Sequence, residues 1–268
     1  MVHCNNSTLI HSLANDYCSA GVLVSGEARE PLLDLLFLTY PYYIDRPSRL
    51  AVQECLRAIL RATTDQEDLR RLVARLQREC TKSSLAPASA FALVGWCSTI
   101  LQHFSTASIP LTLILDVISA HAKVLELCLE QFVRPSVQRA ALRVTRRALR
   151  ALFVSENLGE EVVRESIVRL TGETRAQRNA PFIGVISGVT ARFESRKAAA
   201  EGVKTQVITF YVKEVVSSRT AIPSHIATAL SDFFATYVTK DDFEKEVLPS
   251  LEKAILRSPE IVLNGVIP

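Results

Sequence analysis

Apolar residues recur along this chain at the spacing of helices, not of strands. From Pro135 to Val154, the residues Val137, Ala141, Val144, Ala148 and Leu152 fall three to four positions apart, which places them on one face of a helix. No stretch alternates apolar and polar residues between turn signals for long enough to make a strand. Prolines punctuate the pattern. Pro31, Pro47, Pro87, Pro110, Pro135, Pro181, Pro223 and Pro259 each stand just before or at the start of an apolar-periodic stretch, where a missing N–H costs nothing and a fixed φ suits a first helical turn. Helices laid between these marks span 31–40, 47–62, 65–80, 87–104, 109–133, 135–154, 157–171, 180–193, 196–217, 223–238 and 241–257, with one more cut off from 259.

Taken in pairs, the helices recur with a period of roughly 40 residues, the spacing of HEAT and armadillo arrays. The segment from Val247 to Pro259, with Pro249 after two apolar residues and a short polar turn at its end, has the form of a HEAT first helix. Asp45 to Val52 and Arg134 to Ala141 have the form of HEAT second helices: a turn with Asp or Pro, then Arg or Gln and an apolar stripe. A tetratricopeptide array fits less well, because its Trp-Leu-Gly-Tyr pattern is absent and the single Trp96 lies in an apolar helix of its own. One helix pair leaves an apolar stripe exposed, and stacking of neighbouring pairs closes it. The expected fold is therefore all-α: a HEAT-type α-solenoid of about six helix pairs over residues 31–268, truncated at its C-terminal end, after an atypical N-terminal segment 1–30 of little expected order.

Composition agrees with buried aliphatic helices. Hydrophobic residues make up 48% of the 268 positions and aromatics 7%, with only 9 glycines and 11 prolines to interrupt helices. The longest apolar run, Ile109 to Ala120, is broken by Asp116 and followed by His121 and Lys123, too short and too polar to span a bilayer. Residues 1–26 lack the basic start of a secretory signal, so the acceptor-like Asn5-Asn6-Ser7 carries little meaning. Cys4, Cys18, Cys55, Cys80, Cys97 and Cys128 lie far apart, most at apolar helix positions, which suits reduced thiols and a cytoplasmic location. A net charge of +3 is mild, so any electrostatic argument must be local.

A search for chemistry excludes most enzyme classes. There is no glycine-rich phosphate loop, and Ser187 lacks the flanking glycines of a nucleophile elbow. Gly184 and Gly188 suit close helix approach better than a ligand. The cysteines and His3, His11, His103, His121 and His225 have no zinc spacing, and Cys97 with His103 near one helix end makes at most two ligands. No catalytic residue, cofactor or metal is expected.

One local feature exceeds background. No acid occurs between Gln131 and Ser155, while Arg134, Arg139, Arg143, Arg146, Arg147 and Arg150 accumulate there. Arg139, Arg143, Arg146 and Arg150 share one helix face. Two readings stand. The face is a solvated surface, neutralised by Glu160, Glu161 and Glu165 or laddered between repeats; or it contacts phosphate or an acidic protein surface, since arginine makes two-pronged hydrogen bonds to such oxygens. Aromatics suited to base stacking are missing beside it. The run from Glu67 to Glu79, with Arg70, Arg71, Arg75 and Arg78, carries its own acids and reads as an ordinary exposed face.

Four segments resemble a known family: Asp45 to Val52, Ala180 to Val189, Ser218 to Ala227 continuing to Phe233-Phe234, and Leu248 to Asn264, the last two being the specific ones. They are similar to the N-terminal region of the general control non-derepressible protein one, over about residues 31–268. The resemblance implies a very large cytoplasmic HEAT-repeat protein that binds ribosomes and lets uncharged tRNA activate the starvation-responsive kinase of translation initiation factor two α. It implies a non-enzymatic, ribosome-associating scaffold segment with no membrane partner. The family's ATPase-partner and kinase-binding regions have no counterpart in this chain. It assigns no binding residue here, so the arginine face rests on charge pattern alone. The competing reading is a HEAT or armadillo adaptor that grips a helix or peptide of a partner protein without touching ribosomes.

Overall fold

The helices form where proline and polar caps allow them to start. The computed structural model describes residues 26–40, 46–131, 135–172, 188–192, 194, 201–212, 232–257 and 259–260. The acceptor Asn5, Cys4, Cys18, His3, His11, Arg134, Pro181, Gly184, Ser187, Pro223 and His225, and the apolar end 261–268, lie outside the described residues. Helix α1 is Gly26–Thr39, α2 Arg46–Ala62, α3 Gln66–Cys80, α4 Pro87–Phe104, α5 Leu111–Gln131, α6 Pro135–Val154 and α7 Glu160–Gly172. Helix α8 is Glu201–Phe210, α9 Lys240–Asp242 and α10 Leu248–Arg257; shorter helical stretches cover 188–192 and 232–237. Among the described residues there is no strand.

Local chemistry explains the boundaries. Pro87 and Pro135 open α4 and α6, and Pro47 lies in the first turn of α2. Asp65 caps α3 by accepting the Glu67 N–H at 3.1 Å. Two prolines lie inside helices, and one of them, Pro31, departs from the expected pattern. Pro31 lies inside α1, which begins at Gly26, five positions before the expected start at 31. It is exposed and only just past the first turn, where the helix loses a single hydrogen bond. Pro249 sits one residue into α10, and the turn before it, Phe243–Val247, is a π-helix in which the Leu248 N–H reaches back to the Phe243 carbonyl. Widening that turn lets one helical path run from α9 into α10 despite the missing proline N–H.

The helices stack in two layers. Helix α4 packs on α2, α5 and α6, while α5 packs on α3 and α7, and α7 on α8. One layer is thus α1, α3, α5, α7 and α8, and the other is α2, α4, α6 and the stretch 188–194. The side-chain contacts give the repeat directly. Tyr40 to Glu79, Asp34 to Arg75 and Ser119 to Arg169 join members of the first layer at separations of 39, 41 and 50 residues, and Lys204 to Asp242 joins α8 to α9 at 38. Ser105 to Ser155 and Phe153 to Arg192 do so in the second, at 50 and 39. Each separation is one helix pair, so the period of roughly 40 residues read from the sequence is the stacking distance of the solid array.

Between the layers lies one aliphatic core that includes Leu56, Ile59, Leu76, Leu93, Ile100, Ile118, Leu125, Leu149 and Leu152. Trp96 does not lie in a helix of its own. Its ring meets Phe37 edge-on at 4.9 Å and Tyr40 at 5.5 Å, so α1 is fastened to α4 by aromatic packing. No described helix is long and apolar enough to cross a membrane.

A candidate nucleic-acid interface on one helical layer

Helix α6 is split lengthwise by its sequence. Ala141, Thr145, Ala148, Leu149, Leu152 and Phe153 are buried, and Val137 and Val144 are half-buried beside them. Arg139, Arg143, Arg146, Arg147 and Arg150 are all exposed on the other side. From Arg139 to Arg150 the face runs for roughly 16 Å at the rise of an α-helix.

Counter-charges are sparse. Arg150 Nη2 meets a Glu194 carboxylate oxygen at 3.2 Å across to the next helical stretch, and both side chains are exposed. Among the described residues, Arg139, Arg143, Arg146 and Arg147 make no ion pair. The carboxylates proposed to neutralise the face lie on α7, in the opposite layer. Glu165 accepts from Arg169 of its own helix at 3.3 Å, and Arg169 also reaches Ser119 Oγ at 3.4 Å. On the face of α3, by contrast, three of the four arginines have partners: Arg70 pairs with Glu67 at 3.3 Å, Arg71 with Asp68 at 3.7 Å, and Arg75 with Asp34 of α1.

The arginine face is held from below by polar contacts buried in the seam between layers. His121 of α5 lies 2.9 Å from Thr145 Oγ1, and Thr145 donates to the Ala141 carbonyl at 3.0 Å. The hydroxyl proton is thereby used, so the imidazole proton sits on Nε2 and is donated to Thr145. Nδ1 is buried without a hydrogen-bond partner, and burial pushes the His121 pKa down to about 4. Gln138 Nε2 donates to the Leu129 carbonyl at 2.9 Å, tying the start of α6 to the end of α5.

The other candidates separate. Cys97 is buried against the Cys80 thiol, and burial raises its pKa well above the ordinary value. His103 lies beside Arg61 instead; burial first and that guanidinium second lower its pKa. The structure does not bring Cys97 and His103 together as ligands. Gly188 lies against Phe153 and the Leu149 carbonyl, a close helix approach. Sequence reasoning missed two buried cations, Arg192 and Lys204. Arg192 falls four residues after Gly188, on the same helix face as that close approach, and this position was the available signal.

The exposed guanidinium row can hold phosphate or carboxylate oxygens by paired N–H donors. It offers no exposed aromatic on α6 for base stacking, since Phe153 is buried.

Comparison with known proteins bears on what such a face would meet. Residues 204–268 match the family described as "Stalled ribosome sensor GCN1 N-terminal". The chain is 22% identical over 236 residues to Protein ILITYHIA of Arabidopsis thaliana, covering 88% of this chain and 8% of that protein. The chain thus spans less than a tenth of that relative's length. No solved structure matches. Both findings support the family resemblance read from the sequence, and its two specific segments fall inside the matched region. The arginine face of α6 lies N-terminal to that region.

Proposed function

We propose that this chain is a non-enzymatic helical-repeat scaffold segment that helps hold a translational regulator on the ribosome, in the cytoplasm, within the starvation-responsive control of the initiation-factor kinase. The observation that carries the reading is the arginine face of α6, exposed along its length and paired, among the described residues, only through Arg150 to Glu194, in a chain similar to the N-terminal region of a ribosome-sensor family. Ribosomal RNA is the dominant polyanion such a scaffold would meet, and arginine forks suit its phosphates. The array supplies rigidity: five guanidinium groups on one packed helix keep fixed spacing, which lowers the ordering cost of binding. Co-sedimentation of the chain with purified ribosomes across a salt series tests the reading. Binding that weakens steeply with salt supports it, and absence of binding at low salt contradicts it.

A second reading draws on a separate feature. A cleft lined by Phe234, Val238, Phe243 and Leu248, with Thr239, Lys240 and Glu244 beside them, suits a helix or peptide of a partner protein, and Ile255 and Leu256 are exposed further along α10. Binding there would depend little on salt, which separates the two readings.

A further inference from the structure

The two layers differ in charge. Helices α2, α4 and α6 carry nine arginines against one acid, Glu54. Helices α1, α3, α5 and α7 carry twelve acids against eight basic residues. The mild net charge of the chain conceals this, because each layer recurs only at every second helix along the sequence.

Register turns the charge into a surface. Arg49 lies over the Phe91 ring at 5.1 Å, and a Cβ on Gly95 would fall 2.4 Å from Gln53 Nε2, so α2 and α4 run parallel with matched starts. Ser155 Oγ donates to the Ser105 carbonyl, so α4 and α6 end at the same level. The last turns of the three helices therefore lie side by side. Arg61 is exposed in the last turn of α2 with Arg57 one turn before it; the last turn of α6 carries no basic residue, and Arg150, Arg147 and Arg146 lie in the turns just before it. His103, in the last turn of α4 between them, has its pKa lowered by burial first and by Arg61 second, so the charge of the row comes from the arginines of α2 and α6. At about 10 Å between packed helices, the row extends roughly 20 Å across the layer. It joins the face that runs along α6. Glu54, the one acid of these helices, is paired with Arg57.

We infer that α2, α4 and α6 form one phosphodiester-binding surface, with Arg57 and Arg61 of α2 as a second group of contacts beyond the α6 row, taking the backbone of duplex RNA without reading its sequence. The inference rests on the ribosome reading for its partner, and on layer register and charge for its extent. A single acidic peptide helix lying along α6 would leave the α2 end unused, whereas a duplex backbone spans both arms. Described aromatics of this layer lie in or against the core, which removes a stacking platform for single strands. The acidic layer behind repels the same ligand, so only one side of the array can face it.

The test uses the full chain and an RNA hairpin of unrelated sequence, read by fluorescence anisotropy. Arg57→Glu with Arg61→Glu is compared with Arg70→Glu and Arg71→Glu, the same charge change on exposed positions of α3. The α2 variant is expected to bind about tenfold more weakly and to lower the log–log salt slope by about 1 to 2, while the α3 variant stays within about twofold of the parent. Thermal melting is recorded on each sample, and Arg57→Gln with Arg61→Gln replaces the reversal if it unfolds the chain. Parent-like RNA binding by the α2 variant overturns the inference and leaves the α6 row standing. Equal losses in both variants overturn it too, as an effect of net charge alone. Tighter binding of a polyglutamate peptide than of RNA overturns the choice of partner.

Discussion

Arg192 donates from Nη1 to the Phe153 carbonyl at 2.8 Å although its side chain is sealed from solvent. Nη2 reaches the Leu158 carbonyl at 3.3 Å. The guanidinium thereby closes the C-terminal end of α6, where the helix dipole is negative, and fixes the turn into α7. Replacing Arg192 with Ala leaves carbonyls unsatisfied and a void, and is expected to cost about 3 kcal/mol in chemical denaturation. Arg192→Lys keeps the charge but lacks the fork, and should fall between the two. A cost below about 1 kcal/mol for Ala would mean that the cap contributes little.

Gly188 meets the same helix. A Cβ there would lie 2.6 Å from Phe153 Cδ2 and 3.2 Å from the Leu149 carbonyl oxygen, and the Phe153 ring is buried and cannot swing aside. Gly188→Ala is expected to destabilise by about 1–3 kcal/mol through overpacking. Gly159→Ala is the control, since nothing lies within 4 Å of its added carbon. Equal melting temperatures for the two variants would show that the stretch 188–192 shifts freely on α6.

Acid should lower the stability of the array in two separable steps. His121 has its pKa lowered from 6.5 to about 4 by burial, so between those values the unfolded chain takes up a proton that the folded chain refuses. Stability therefore falls as pH drops through that window, by about 3 kcal/mol at most. His103, lowered by burial and by Arg61, adds in the same direction. His121→Leu should remove most of this dependence, because Thr145 keeps its bond to the Ala141 carbonyl. An unchanged urea-midpoint profile over this range in the variant would contradict the assignment.

The second step belongs to Asp242. Its bonds to buried Lys204 at 2.7 Å and to Thr239 hold its pKa at about 2, below the ordinary 3.8. That stabilisation is present above 3.8 and is lost as pH falls through about 2. Solvent screening of the partly exposed carboxylate limits it to about 1 kcal/mol. Asp242→Asn should flatten the stability profile in this lower window only, as followed by circular dichroism.

Much of the fold was legible because prolines mark helix starts by simple chemistry. Pro87 and Pro135 open their helices where the sequence expects, and α2 to α7 end within two residues of their expected ends. Pro31 misled boundary reasoning because tolerance of an interior proline depends on which carbonyl is exposed, whereas Pro249 lies inside a helical path as the sequence expects, and the widened turn before it is what the spacing did not show. The period of roughly 40 residues was legible from spacing, whereas the layer in which each helix lies was not. Arg139, Arg143, Arg146 and Arg150 could be placed on one face from their numbers alone. That α7 lies in the opposite layer, so that Glu165 pairs with Arg169, depends on three-dimensional stacking. Arg57 and Arg61 could not be joined to that face from sequence, since about 80 residues separate them from it.

The most direct test of the ribosome-contact account is co-sedimentation with purified ribosomes, with thermal melting on the same samples, for a variant carrying Arg139→Glu, Arg143→Glu, Arg146→Glu and Arg150→Glu. These side chains are exposed, and the single pair they make among the described residues, between Arg150 and Glu194, is worth at most about 1 kcal/mol. The variant should melt within a few degrees of the parent, bind ribosomes at least about tenfold more weakly at low salt, and show a flatter salt dependence. Parent-like ribosome binding with intact melting would contradict the account.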